Sequence, residues 1–337
     1  MSETSFMQAA YYEQTGDAAE VLLTGEFPVP APGKGEVLVR IQMSGVNPSD
    51  VKKRLGRMPA PAAYPVIIPH SDGAGVIVAV GDGVDSARVG ARVWLWNAQW
   101  GRANGTAAGY CALPSAQAVD LPENVSFAEG ACLGIPAQTA WTAVMEGRPA
   151  PGRTVLVHGG AGAVGEMAVA IAANAGARVI ATVSTSEKAA IAQAAGASEV
   201  IDYRTINVAE AVLDLTGGAD HIVDVDFGAN HATNARALAP GGSIAAYSAP
   251  SSPVFEMDYY GFAAKAARLR FVQVYLLDEN DRHAAIASVT DLLKRGALPI
   301  RIARTFQLSD IIAAHQAQEA GVIGNIVIET GDTDADP

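Results

Sequence analysis

Three glycines, Gly160, Gly162 and Gly165, are spaced as G-x-G-x-x-G within the stretch VLVHGGAGAVGE, residues 155–166. An apolar run precedes them and an alanine-rich run follows, which predicts a strand, a tight turn and a helix. The first N–H groups of such a helix, including those of Ala163 and Val164, have no partners within it and attract phosphate oxygens. In a chain rich in glycine and alanine the same spacing also suits a plain tight turn, so the surrounding elements must decide.

A second polar group follows about 20 residues after the glycines, where Rossmann units select their nucleotide. Ser184, Thr185 and Ser186 come after the predicted strand ARVIATV, and Lys188 follows shortly. Hydroxyl groups and a cation suit the 2′-phosphate of NADP(H), whereas NAD selection usually needs an acidic residue. Glu187 would repel that phosphate if it pointed inward. The alternative is that Ser184 or Ser186 caps the next helix and Lys188 is solvated.

Strands and helices alternate between residues 131 and 297, which predicts a doubly wound parallel sheet with helices on both faces. The glycines lie at its first strand–helix junction, where a dinucleotide pyrophosphate would bind. Before residue 131, short β-like runs separated by turn residues predict a mostly antiparallel β domain. The closing strand GNIVIET needs a partner sheet and is expected to return to that first domain, after a helix capped by Ser309. The predicted domains are residues 1–130 with 298–337, and residues 131–297.

Composition limits the class of protein. The chain has 337 residues, half of them hydrophobic, and only two cysteines, so neither a disulfide framework nor a four-cysteine zinc site is expected. The net charge of −12 disfavours nucleic-acid binding, and the basic run VKKRLGR suits a solvated helix face. The beginning MSETSFMQAA lacks the features of a signal peptide, and no apolar run is long enough for a membrane. These observations predict a cytoplasmic protein.

Several sequence blocks occur in an order and spacing that resemble one known family. They are GVNPSD (45–50), SDGAGVIVAVG (71–81), GIPAQTAWTA (134–143), VLVHGGAGAVG, AAGASEVIDYR and APGGSIAAYS. Together they resemble the zinc-free quinone oxidoreductases of the medium-chain dehydrogenase/reductase superfamily, which include zeta-crystallin. The resemblance covers nearly the whole chain. It implies a GroES-like β-barrel catalytic domain and a Rossmann domain, with the cofactor in the cleft between them.

The resemblance also implies roles for single residues. Asn47 would border the nicotinamide and the substrate, Thr139 would approach the nicotinamide, and Tyr203 would lie near the adenosine phosphate. Asn47 before a proline could instead form an Asx turn, and Tyr203 could cover the edge of the sheet. The other expected cofactor contacts are Tyr247, Ser248 and Asn325.

Zinc ligands of related alcohol dehydrogenases are replaced in this chain. A zinc enzyme of the superfamily takes a cysteine from the segment matching GVNPSD and a histidine from a Gly-His-Glu block. Here those segments carry Asn47 with Pro48, and Ser71. His70 is one residue off, and a one-residue shift in extended chain points a side chain to the opposite face. We therefore expect no metal site, and a structural or pocket-wall role for His70.

The segment after GVN departs from the family where tyrosines often stand. Those positions are Lys52 and Met58, which leaves the substrate open. Lys52 could stabilise a carboxylate or an enolate, or could be solvated beside Lys53. Asp50 is also expected to line the substrate pocket.

Large flat side chains follow in WLWNAQWGRANG. Trp96 and Trp100 are expected to line the substrate pocket and stack on a conjugated substrate, while one or two of the tryptophans, Trp94 included, could only fill the barrel core.

The expected activity is zinc-independent, NADPH-dependent reduction of quinones or conjugated enones, with Asn47 orienting the substrate and solvent as the proton source. The alternatives are a double-bond reductase of an unsaturated acid, favoured if Lys52 and Arg54 face the pocket, and a non-catalytic NADPH-binding or redox-sensing protein. The expected partner is a small electrophilic substrate. The apolar run at 269–277, read as a long final strand, predicts a homodimer.

Overall fold

The computed structural model describes residues 5–58 and 63–330. Within them the strands are β1 (Phe6–Tyr11), β2 (Leu23–Pro28), β3 (Glu36–Val46), β4 (Asp72–Val80), β5 (Arg92–Leu95), β6 (Tyr110–Pro114), β7 (Ala118–Asp120), β8 (Thr154–Val157), β9 (Arg178–Val183), β10 (Glu199–Asp202), β11 (Ala219–Asp224), β12 (Leu238–Ala246), β13 (Arg268–Phe271), β14 (Ile302–Gln307) and β15 (Asn325–Glu329).

The α-helices of the same residues are α1 (Ala18–Val21), α2 (Pro48–Arg54), α3 (Phe127–Gly130), α4 (Gln138–Met145), α5 (Ala163–Asn174), α6 (Ser186–Ala194), α7 (Val208–Thr216), α8 (Phe227–Ala237), α9 (Tyr259–Ala263), α10 (Glu279–Lys294) and α11 (Ile311–Ala320). None of these helices has both the length and the apolar character that a membrane span requires.

Residues 136–299 form one compact unit, which we call the inserted unit. Its six strands are parallel, in the order β10-β9-β8-β11-β12-β13. β8 is buried along its whole length because helices cover both faces of such a sheet, as its apolar, β-branched sequence indicates. The strand order reverses between β8 and β11, which is where ligands bind in open parallel sheets. The predicted doubly wound sheet is confirmed.

The other unit comprises the described residues up to 135 and from 300 onward. Its largest sheet follows the order β14-β15-β3-β4-β5-β7, with β6 also paired to β3, and all pairs except β14–β15 are antiparallel. β1 and β2 form a separate hairpin. Alternate residues of β3 and neighbouring strands, such as Val37, Val39 and Ile41, are fully buried in its core. The closing strand β15 pairs with β3, as the sequence predicts.

The strand predicted at 269–277 is shorter in the structure. β13 ends at Phe271, opposite Ala246, the last residue of its only partner strand among the described residues. Beyond that point no ladder is available, and Val274–Leu276 forms a 3-10 turn whose carbonyl at Val274 accepts a hydrogen bond from Arg282 at 2.7 Å. The prediction of a nine-residue strand was therefore wrong.

The predicted cap at Ser309 was also wrong. Ser309 lies inside a 3-10 turn, Leu308–Asp310, and the residue that precedes α11 is Asp310.

Candidate functional site

The glycine-rich turn joins β8 to α5, and its three glycines differ in the space that the protein leaves for a side chain. A Cβ at Gly160 would lie 2.7 Å from the Cβ of Ala181, and one at Gly165 would lie 2.1 Å from the carbonyl oxygen of Gly159. At Gly162, in contrast, the nearest atom would be 3.4 Å away, an ordinary contact. The protein itself therefore leaves room for a side chain at Gly162, and we call this room the cradle.

The amino end of α5 faces this cradle with free donors. Gly162 is the N-cap, and Glu166 is the first residue of α5 whose N–H donates to a carbonyl of the turn, that of Gly162, at 2.8 Å. The N–H groups of Ala163, Val164 and Gly165 precede it and have no acceptor one helical turn back. Such an arrangement fits the pyrophosphate of a dinucleotide.

The polar group after β9 is organised by α6. Thr185 is the N-cap, since its side chain accepts a hydrogen bond from the backbone N–H of Lys188 at 3.2 Å. Neither Ser184 nor Ser186 caps the helix. The Lys188 ammonium group donates to the buried Ser184 hydroxyl at 3.2 Å, while Glu187 is exposed. A hydroxyl and a cation are thus held together at the carboxyl end of β9.

The remaining expected cofactor contacts lie in both units. Thr139 is buried in the first turn of α4. Tyr203 follows β10, its side chain is 53% exposed, and its N–H donates to Val183 at 3.1 Å. Tyr247 and Ser248 follow β12, and burial, followed by the nearby Asp224, raises the pKa of Tyr247 above its usual range. Asn325 lies in the other unit, where its backbone and side-chain N–H groups both donate to Arg301.

In the other unit, Asn47 is the N-cap of α2, and two carboxyl groups accept hydrogen bonds from it. Its side-chain nitrogen donates to Asp72 at 2.9 Å, and its backbone N–H donates to Asp50 at 3.0 Å. The same Asp72 oxygen accepts from the N–H of Ile135 at 2.9 Å, while its other oxygen is buried without a partner. Burial raises the pKa of Asp72 well above its usual range, against the effect of the Ile135 and Asn47 donors. Asn47 is therefore fixed rather than free to rotate.

Lys53 of α2 is buried, whereas its neighbour Lys52 is not. The ammonium group of Lys53 donates to Ser71 and Gln99, each at 3.0 Å, and to Asp50 at 3.5 Å. Lys52 is half-buried. The solvated helix face predicted for the run VKKRLGR was therefore wrong at Lys53 and Arg54, which are buried. Asp50, expected in the substrate pocket, is buried and already serves both the start of the helix and this ion pair.

Arg54 does not offer its charge to a pocket. It is fully buried, its side chain donates to His315 at 3.4 Å, and it also binds the carbonyl of Gly16 and the carboxylate of Glu319. The side chain of His70 bonds Ser44 at 2.8 Å and His315 at 3.0 Å. The structural role expected for His70 is confirmed.

The tryptophans and Met58 differ in exposure. Trp94 is fully buried in β5, so it fills the core of its unit. Trp96, Trp100 and Met58 are half-buried, and their role in a substrate pocket stays a prediction.

Sequence reasoning missed the polar residues at the carboxyl ends of β8, β9 and β11. His158, Thr182 and Asp224 are all buried there and are linked through Asn234 of α8. The available signal was that each polar residue stands at the same end of a neighbouring parallel strand.

Comparisons with known proteins agree with this architecture. Residues 33–123 match the family model described as "Alcohol dehydrogenase GroES-like domain", and residues 163–291 match "Zinc-binding dehydrogenase". A quinone oxidoreductase of Pseudomonas aeruginosa is 32% identical over 88% of this chain and 91% of its own. The structure of a Pseudomonas syringae pv. Tomato quinone oxidoreductase is 31% identical, covers 96% of this chain and 99% of its own, and has a TM-score of 0.84. A mycobacterial protein solved as a complex with NADPH is 30% identical, with the same coverage and a TM-score of 0.85.

A GroES-like domain and a Rossmann-like domain in one chain define the medium-chain dehydrogenases/reductases. Within that superfamily, this chain belongs to the quinone oxidoreductase-like family. The resemblance drawn from the sequence blocks is confirmed.

The zinc in one family description does not fit the residues of this chain. Where the resemblance implies thiolate and imidazole ligands in zinc enzymes, this chain has Asn47 with Pro48, and Ser71, and the side chains of Asn47 and Ser71 are engaged in hydrogen bonds. In the part of the chain that the structure describes, no group of three or more His, Cys, Asp or Glu side chains could hold a metal ion.

Proposed function

We propose that this protein is an NADPH-dependent reductase of quinones or conjugated enones. It is an oxidoreductase of the medium-chain superfamily, and its cofactor is NADP(H). The observation that carries the proposal is the cradle at Gly162, with the Ser184 and Lys188 pair at the end of the next strand. The cradle suits a pyrophosphate, and the pair suits a 2′-phosphate.

The acceptor must be electron-poor on its own account. Bound NADPH supplies a hydride, and Asn47 and Ser71 stand where a zinc enzyme would bind its Lewis acid. A quinone meets this need, because a hydride and one solvent proton convert it to a hydroquinone. An enone meets it as well: the hydride forms a C–H bond at the β-carbon, the C=C π bond opens, and solvent protonates the α-carbon.

The residues of α2 would orient the acceptor rather than exchange protons with it. Asn47 presents a carboxamide whose direction Asp72 fixes, and a fixed polar group is what an aligned hydride transfer requires. Lys53 directs its ammonium group at Ser71, Gln99 and Asp50 and serves to position this segment.

The alternative function, reduction of an unsaturated acid, was favoured if Lys52 and Arg54 faced the pocket. Arg54 does not favour it, because its side chain is buried against His315 and Glu319. Lys52 remains as the cation that could bind a carboxylate. An assay that offers quinones, enones and unsaturated acids to the protein separates the two activities.

The test follows NADPH absorbance with a panel of benzoquinones, enones and unsaturated acids, with NADH and a chelator as controls. We expect chelator-resistant turnover of quinones or enones, with NADPH preferred over NADH by roughly tenfold to a hundredfold, the value of one or two charge-assisted hydrogen bonds. Replacing Lys52→Met should leave KM for neutral quinones unchanged, as should the control Lys34→Met at an exposed site.

Three results would contradict the proposal. A raised KM for acids alone in Lys52→Met, with acids the best substrates, would establish the acid reductase. Tight NADPH binding without turnover of any acceptor would establish a binding protein. Loss of activity with the chelator would show that a metal takes part.

A further inference from the structure

Beneath the glycine-rich turn runs a chain of hydrogen bonds that the cofactor does not need to touch. The backbone N–H of Gly159 donates to the hydroxyl of Thr182 at 3.1 Å, and that hydroxyl lies 3.4 Å from Nδ1 of His158. Nε2 of His158 lies 2.9 Å from the side-chain oxygen of Asn234, whose nitrogen donates to Asp224 at 2.5 Å. We call the four side chains, Thr182, His158, Asn234 and Asp224, the turn anchor.

The Asp224 end of the turn anchor determines the direction of the bonds up to His158. At one end the N–H of Gly159 can only donate, so the Thr182 hydroxyl accepts it and keeps its own proton for a second hydrogen bond, with Nδ1 of His158 as the ring atom within reach. At the other end Asp224 accepts from Asn234, so the amide oxygen of Asn234 faces His158 and accepts from Nε2–H. The ring of His158 therefore donates from Nε2.

The Asp224 end is itself secured by α8. Its second carboxyl oxygen accepts from the backbone N–H of Asp226 at 2.8 Å and from the side chain of Asn230 at 2.9 Å. Asn230 and Asn234 stand four residues apart and thus on one face of the helix. The terminal acceptor of the chain is therefore immobile.

Burial makes these bonds obligatory. The exposed fractions of the four side-chain residues are 0–4%, so a lost partner would not be replaced by bulk water. Gly159 has a φ of +70°, a left-handed conformation in which its N–H points to the Thr182 hydroxyl, and the N–H of Gly160 donates to the Thr182 carbonyl at 3.0 Å. With those two donors turned inward, the amides at the start of α5 are left to face a ligand.

We propose that the turn anchor sets the affinity for NADP(H) by holding the glycine-rich turn in its binding conformation, and that Thr182 and His158 are positioning residues that do not touch the cofactor. The inference rests on NADP(H) being the cofactor, as given under the proposed function. It adds an interaction between strand ends and α8 that the G-x-G-x-x-G pattern does not contain.

The test compares NADPH affinity, measured by fluorescence titration, in Thr182→Val and Thr182→Ser. Valine keeps the shape but removes the hydroxyl, so the Gly159 N–H loses its acceptor, and we expect Kd for NADPH to rise about tenfold. KM for NADPH should rise equally while kcat and KM for the acceptor stay unchanged. Serine retains the hydroxyl and should restore the wild-type Kd. The matched control is Ser243→Ala, which removes a buried hydroxyl bonded to His221 at 2.8 Å in the same sheet.

The outcomes separate this inference from the proposed function. If the unaltered protein binds no NADPH, the cofactor assignment fails. If it binds NADPH and Thr182→Val binds equally well, or if Ser243→Ala weakens binding as much, the turn anchor has no positioning role.

A second measurement needs no variant and decides the matter if Thr182→Val does not fold. Nitrogen-15 NMR of the histidine rings distinguishes the two neutral tautomers. A proton on Nε2 is expected for His158, and a ring that carries its only proton on Nδ1 would overturn the proposed chain of bonds.

Discussion

At the residue scale, the sequence predicted local structure well where the backbone passes close to another atom. The spacing of Gly160, Gly162 and Gly165 predicted the turn correctly, because glycine at such positions has few substitutes. The burial of Lys53 was not predicted. Lys53 stands three residues after Asp50 on α2 and shares its face, whereas Lys52 does not, but that comparison requires the first residue of the helix to be known.

The three glycines should respond differently to alanine. In Gly162→Ala the Cβ meets no protein atom closer than 3.4 Å, so we expect an unchanged Tm and at least a tenfold rise in Kd for NADPH. In Gly165→Ala the Cβ would lie 2.1 Å from the Gly159 carbonyl, so Tm should fall, although alanine ordinarily stabilises a helix. Thermal unfolding and fluorescence titration measure both. Wild-type affinity in Gly162→Ala would remove the cradle interpretation.

At the element scale, the alternation of strands and helices predicted the parallel sheet, and the antiparallel domain followed from short runs between turn residues. The end of β13 could not be predicted in the same way. An apolar run shows that residues avoid water, but the length of a strand also depends on its neighbour, and β12 ends at Ala246. Phe271 and Leu276 had both been predicted to lie in one strand: Phe271 is the last residue of β13 and Leu276 lies beyond it, and each is 70% exposed.

The shortened β13 still forms one edge of its sheet, and the homodimer through this edge stays a prediction. We expect light scattering at micromolar concentration to give the mass of a dimer, because an open edge beside exposed apolar side chains favours pairing with a second copy. Phe271→Glu should give a monomer with an unchanged far-ultraviolet spectrum. The control Phe6→Glu alters an equally apolar side chain, 61% exposed, on β1 and should leave the dimer intact. A monomeric wild-type protein would refute the dimer.

At the scale of the whole molecule, burial lowers the pKa of three histidines. Burial lowers the pKa of His70 and of His315 to about 3 and that of His221 to about 4. His221 lies under α4, where its ring nitrogens contact Ser243 at 2.8 Å and the carbonyl of Ala143 at 2.7 Å. The burial of these histidines could not be predicted from the residue type, because histidine occurs both on surfaces and in cores.

The folded protein should therefore lose stability in mild acid. The unfolded chain takes up protons on these rings below pH 6.5 while the folded protein does not, so their contribution is complete above pH 6.5 and declines until about pH 4 for His221. Asp72, whose pKa is raised, acts in the opposite direction, so variants must be compared. Between pH 6 and pH 5, His221→Gln should reduce the loss of unfolding free energy in urea by about 1 kcal/mol. The exposed His283→Gln should not, and equal slopes for both would contradict the assignment.

The position of β15 has a consequence for the order in which the protein can fold during synthesis. β15 pairs with residues 43–46 of β3, yet the entire segment 136–299 is translated between them. Since domains tend to fold as they leave the ribosome, the inserted unit is complete while residues 43–46 of β3 have not yet paired with β15. A chain interrupted before residue 325 would carry a finished nucleotide-binding fold and an open sheet edge, which is the form that chaperones and proteases recognise.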